Sequence, residues 1–99
     1  DNAQKEFQEV LSSEPENIGA HLHLGIIFRE RKEYVRAIIE LNDTLRLSPD
    51  NLEAILNLGI VHYEKGEFES AVQKFEQVVK TQPENVEVHF YLALTYFHL

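Results

Sequence analysis

Apolar residues along this chain recur with the spacing of helices rather than strands. From Tyr34 to Leu47 they fall at Tyr34, Ala37, Ile38, Leu41 and Leu45, the i, i+3, i+4, i+7, i+11 series of one helical face. Arg36, Glu40 and Asp43 lie opposite, so the spacing predicts a helix with a single wet face. Ile18–Arg31 carries Ala20, Leu24, Ile27 and Phe28 on one side and Leu22 and Ile26 on an adjoining one, which predicts a helix covered on more than one side. The second half copies this plan. Phe68, Ala71, Val72, Phe75, Val78 and Val79 form its apolar set, with Glu69, Gln73, Lys74 and Glu76 outside.

The copying is literal. Pro15-Glu16-Asn17, Pro49-Asp50-Asn51 and Pro83-Glu84-Asn85 recur at intervals of 34 residues. Residues 18–51 lie over 52–85 without a gap, and ten positions are identical, including Leu24/Leu58, Gly25/Gly59, Ala37/Ala71 and Pro49/Pro83. Each copy reads as two helices. Asn51 and Asn85 are predicted N-caps, since a side-chain oxygen there accepts an orphan backbone N–H. Pro49 and Pro83 deny a donor to any continuing helix. Gly66 suits the turn between the second pair of helices. Lys32 holds the matching place in the first pair, where the turn is expected to be strained or differently shaped. Gly25 and Gly59 sit within helices, where glycine costs about 1 kcal/mol relative to alanine. Close approach of the paired helix at Ala37 and Ala71 is the expected reason.

These residues resemble the tetratricopeptide repeat. Leu24, Gly25, Phe28, Ala37, Leu41 and Pro49 match in the first unit, and Leu58, Gly59, Ala71, Phe75 and Pro83 in the second. Ala3, Phe7 and Pro15 match in a starting half unit, and Leu92, Ala93 and Tyr96 in a closing one. His21, Ile55 and His89 stand where the family often has Trp, and Thr44 and Val78 where it usually has Ala. The resemblance implies an all-α fold, a right-handed superhelical array of antiparallel helix pairs. Six helices are expected in one domain: a half repeat over 1–17, full repeats over 18–51 and 52–85, and a half repeat over 86–99. Beginning at Asp1, the chain reads as a fragment of a longer protein.

Composition narrows the function. Seventeen acidic against nine basic residues leave a net charge of −8, which disfavours nucleic acid and anionic membrane as partners. Cysteine is absent, so disulfides, thiol catalysis and thiolate metal sites are excluded. No apolar run has the length of a membrane span and no signal peptide opens the chain, so a soluble protein of unassigned compartment is expected. No phosphate loop, H-E-x-x-H or activated-nucleophile motif occurs, and the carboxylates are spread along wet faces. No enzyme, cofactor or metal is expected. The five histidines read as packed, hydrogen-bonded rings. Rings buried neutral would lower stability near pH 6, where they must charge. Arg29, Arg31, Lys32 and Arg36 form one basic cluster, either a solvated turn with local ion pairs or a docking spot for an acidic segment.

The resemblance also implies that the first helix of each pair lines a concave face. Leu22, Ile26 and Arg29 fall there in the first unit, Leu56, Asn57, Ile60 and Tyr63 in the second, and Phe90, Leu94 and Phe97 in the third. Members that grip a terminal carboxylate carry Lys, Arg and Asn at such positions. Here Asn57 alone fits, while Leu22, Ile26, Glu87 and Tyr91 stand where Lys, Asn, Lys and Arg are needed. The trough is therefore read as apolar, suited to an amphipathic helix or extended peptide with apolar anchors, with Leu56, Ile60 and Phe90 supplying most contact energy. The alternative for its leucines and isoleucines is interhelix core. The function read from this is a non-catalytic protein-interaction module or scaffold. The other reading is an assembly module that self-associates head-to-tail through Phe7, Val10, Leu92 and Tyr96.

Overall fold

Asparagines and prolines punctuate the chain into helices at the expected places. A computed structural model describes residues 1–99 as six helices without strands: α1 (Asn2–Ser13), α2 (Ile18–Glu30), α3 (Tyr34–Leu47), α4 (Leu52–Glu64), α5 (Phe68–Thr81) and α6 (Val86–His98). None is long and apolar enough to cross a membrane. The Oδ1 atoms of Asn17, Asn51 and Asn85 accept from the backbone N–H of Ala20, Ala54 and Val88 at 2.9–3.0 Å. Asp1 caps α1 in the same way, at 2.8 Å from the Gln4 nitrogen. Each cap satisfies one donor that a helix start leaves unpaired.

Two compact units divide the chain, Asp1–Ala54 and Ile55–Leu99. In the first, α2 packs against both α1 and α3. Leu24, Phe28, Ala37 and Leu41 are among its fully enclosed apolar side chains. Thr44 is enclosed with them, and its hydroxyl donates to the Glu40 carbonyl one turn back at 2.9 Å. In the second unit Leu58, Val61, Ala71, Phe75, Val78 and Val88 form the core, and Thr95 repeats the device through the Tyr91 carbonyl at 2.6 Å.

Two details differ from expectation. The recurring glycines face Leu41 and Phe75 rather than chiefly Ala37 and Ala71. A Cβ on Gly25 would stand 2.7 Å from Leu41 Cγ, and one on Gly59 would stand 2.5 Å from Phe75 Cε1. Large residues seated on bare backbone are the reason for both glycines. The Lys32 turn, in turn, has the same shape as the Gly66 turn. Glu33 N–H reaches the Phe28 carbonyl and Glu67 N–H the His62 carbonyl, both at 2.8 Å. Lys32 adopts φ 63° to achieve this, against φ 82° for Gly66. The first turn is strained but not reshaped.

Candidate partner-binding surface

The second unit carries a run of aromatic rings. Tyr63, near the end of α4, lies 5.8 Å from Phe68, 6.1 Å from Tyr91 and 5.8 Å from His98 between ring centroids. His98 stacks nearly parallel on Phe68 at 4.8 Å, and Tyr91 stacks on Phe75 at 5.6 Å. Such offset contacts hold rings in fixed orientations. At the edge of this cluster stand two phenylalanines with little cover. Phe90 is 60% exposed and Phe97 84%, and they share one face of α6 with Val86, exposed to 81%. Leu94, between them, is half-buried.

The other predicted trough residues divide sharply. Leu22, Leu56, Asn57 and Ile60 are buried at 6%, 8%, 6% and 2% exposure. The expectation that Leu56 and Ile60 lead partner contact is therefore corrected. Their side chains are committed to packing, and a charge introduced at Ile60 probes folding rather than binding. Ile26, Arg29 and Tyr63 are half-buried. Periodicity could not separate these groups, because α2, α4 and α6 are apolar on several sides and the spacing is the same for a covered and an open face. The self-association residues divide too. Val10 and Tyr96 are exposed at 37% and 51%, Phe7 is half-buried against the His23 ring, and Leu92 is buried at 8%, its side chain claimed by packing within the chain.

The basic cluster is laced with ion pairs. Glu33 holds Arg31 at 3.2 Å and Arg36 at 3.1 Å, and the Arg36 guanidinium lies 4.1 Å above the Phe28 ring. Arg31 also donates to Gln4 of α1.

A polar feature unread in the sequence lies in the first unit. His21, buried at 8% exposure, is held at both ring nitrogens. Nε2 lies 2.8 Å from the Pro15 carbonyl and Nδ1 2.8 Å from Glu40 Oε1, with Asp43 at 4.0 Å. A carbonyl and a carboxylate both accept, so an imidazolium donating to each satisfies the arrangement. Burial pulls His21 toward its neutral form, but the Glu40 hydrogen bond, the Pro15 carbonyl and the charges of Glu40 and Asp43 outweigh it and raise its pKa. His21, Glu40 and Asp43 offer three donor atoms within 4.8 Å of one another, the grouping that a divalent cation would need. Nδ1 stands at hydrogen-bond distance from Glu40 Oε1, so in this arrangement the ring edge facing the carboxylates carries an N–H rather than a ligating lone pair. Asp43 and Glu40 thus leave the wet face expected of α3, where the apolar Val35 and Ile39 are exposed instead. The sequence signal was the register. His89 and Pro83 repeat the His21–Pro15 spacing, and their ring-to-carbonyl bond measures 2.7 Å.

Helix pairs in a 34-residue register, each capped by Asn and closed by a left-handed turn, define an all-α helical-repeat protein. A tetratricopeptide-repeat family model matches residues 1–51 and a second TPR-repeat model matches 61–99. The chain belongs to the tetratricopeptide repeat family. Among solved structures, the Arabidopsis OM64 TPR domain aligns with a TM-score of 0.89 at 16% identity, over 97% of this chain and 79% of that one. The first TPR of Spaghetti (RPAP3), bound to the HSP90 peptide SRMEEVD, aligns at 0.85 with 18% identity, over 91% and 71%. A crystal structure of MamA aligns at 0.84 with 22% identity, over 94% of this chain and 54% of that one, so the chain spans about half of MamA's length. No curated protein matches the sequence.

Proposed function

We propose that this chain is a non-catalytic protein-interaction module that binds an apolar segment of a partner protein on the α6 face of its second unit. The observation that carries this is the pair Phe90 and Phe97, seven residues apart on one helical face and largely exposed. Two uncovered phenyl rings beside a braced aromatic cluster are costly in water and suit an interface anchor. Tyr63 and Leu94, both half-buried, belong to the same unit. Support also comes from the fold, since two structural neighbours are TPR domains of RPAP3 bound to HSP90 and HSP70 peptides.

The partner chemistry differs from those acidic peptide tails. Leu22, Ile26, Glu87 and Tyr91 occupy positions where carboxylate-gripping members of the family carry Lys, Asn, Lys and Arg, and Asn57 is buried. An amphipathic helix or extended peptide with apolar anchors fits better. Peptides selected by display on this chain provide the test, read by fluorescence polarisation. Phe90→Glu and Phe97→Glu are each expected to weaken a selected amphipathic peptide more than about tenfold, ~1.4 kcal/mol, with helical circular dichroism unchanged. The peptide SRMEEVD is expected not to bind. Full binding by the doubly substituted chain sinks the proposal.

The second reading, self-association through α1 and α6, draws support from the exposure of Val10 and Tyr96.

A further inference from the structure

Helix α3 presents a face that the core of its unit does not use. From Lys32 to Arg46 the exposed residues are Lys32, Val35, Arg36, Ile39, Asn42 and Arg46, with no carboxylate among them. Val35 is 69% exposed and Ile39 54%. Val35, Ile39, Asn42 and Arg46 recur at i, i+4, i+7 and i+11, which sets them on one side of the helix. The carboxylates of this stretch are half-buried and already engaged. Glu40 is turned to His21, Asp43 lies near His21 and Arg46, and Glu33 holds Arg31 and Arg36. An aliphatic stripe bracketed by cations is thus left outward on a chain whose net charge is −8.

The internal repeat supplies a control. One period on, the exposed residues from Gly66 to Lys80 include Glu67, Glu69, Gln73 and Glu76 and no aliphatic side chain. Glu69 and Gln73 stand where α3 has Val35 and Ile39, so the helix pair does not need aliphatic residues there to fold. Both α3 and α5 are internal to the chain, with other helices before and after them. Two branched aliphatic side chains left in water are unfavourable, and a cover removes that cost.

We infer that this face of α3 is a docking surface for an acidic amphipathic helix of a partner protein. Aliphatic side chains of that helix cover Val35 and Ile39, and its carboxylates meet Lys32 and Arg36 at one end and Arg46 at the other. Arg36 and Arg46 stand about 15 Å apart along the axis at 1.5 Å per residue, so the occupant is a helix of about three turns with acids at both ends. The ion pairs already made by Arg36 and Arg46 lie at an exposed surface and are individually weak, which leaves these cations open to a second carboxylate. Complementary charge selects the partner and its direction, and the apolar contact holds it. The surface belongs to the first unit and does not rest on the α6 reading.

The test uses the chain carrying Phe90→Glu and Phe97→Glu, in which the α6 face is disabled, as bait for a displayed library of helices. The library has Leu or Ile at i, i+3 or i+4 and i+7, with Glu or Asp on the flanks. Selected peptides are expected to bind by fluorescence polarisation, and more weakly as salt is raised. Val35→Glu with Ile39→Gln, which copies α5, should weaken them more than about tenfold, and Lys32→Gln with Arg46→Gln about threefold or more, with circular dichroism unchanged. The same peptides with Lys for every acid should lose more than about tenfold. A library without binders, binders indifferent to the α3 substitutions, or lysine peptides that bind equally well overturns the inference. Co-sedimentation with phosphatidylserine vesicles that Val35→Glu with Ile39→Gln abolishes also overturns it and assigns the face to a membrane. Self-association abolished by the same pair overturns it in favour of a second copy.

Discussion

Lys32 pays for a turn that glycine makes freely. An L residue in the left-handed region costs about 1 kcal/mol or more, and the backbone bonds to Phe28 and Arg29, with the Arg31–Glu33 ion pair across the turn, hold it there. Lys32→Gly is expected to stabilise the chain by ~1 kcal/mol in urea unfolding, less the added freedom of the unfolded glycine. His21 makes a prediction of opposite sense to the one its burial invites. Read alone, a buried histidine is neutral and resists acid. Here its folded pKa is raised by Glu40, Pro15 and Asp43 against the pull of burial, so its contribution is complete below the unfolded value of about 6.5. That contribution disappears as pH rises through the folded value. Unfolding free energy measured from mildly acidic to mildly alkaline pH should fall for the wild type by more than for Glu40→Gln, in which the charge and its hydrogen bond are removed.

At the scale of the helix, the chain was legible wherever a local rule sufficed. The Asn caps, the Pro stops and the Gly66 turn are each decided by one residue and its immediate backbone, and the helices start where those residues place them. The amphipathic pattern of α3 and α5 correctly marked Ala37, Leu41, Ala71, Phe75 and Val78 as enclosed. The α2, α4 and α6 class was legible as helix but not as surface. A helix apolar on several sides does not declare which side is open, so Ile60 and Phe90 looked alike in sequence and lie at 2% and 60% exposure. The His21 clamp escaped for another reason. It joins residues 6 and 19 positions apart, and no local rule pairs them. The seating of Phe75 on Gly59 makes its own prediction. Exposed helical glycines gain stability on replacement by alanine, but Gly59→Ala should lose ~1–3 kcal/mol, because the methyl displaces an enclosed ring. Thermal unfolding of Gly59→Ala beside Gly59→Ala/Phe75→Leu separates the clash from loss of the aromatic ring.

For the molecule as a whole, the 34-residue register carries more information than any single motif. It assigned the six helices, it equates α1 with α3 and α5, and it sets His89 in the place of His21. What the register does not carry is the choice of partner, which on the proposed reading depends on residues where the copies differ, Phe90 and Phe97 among them. The sequence features that name the family and those that would select a ligand are thus nearly disjoint.

Helix α1 contains no buried residue, and what holds it are the Phe7–His23 stack, the Arg31–Gln4 bond and the cap at Asp1. With Phe7 and Leu11 no more than half-buried, α1 is expected to open at a lower free energy than the helices that carry the core. Its amides should therefore trade hydrogen for deuterium well ahead of those in α2 and α3, and a protease should nick Ser12–Glu14 while residues 18–47 stay intact. Whatever later comes to rest on α1 will register first as a slowing of that exchange.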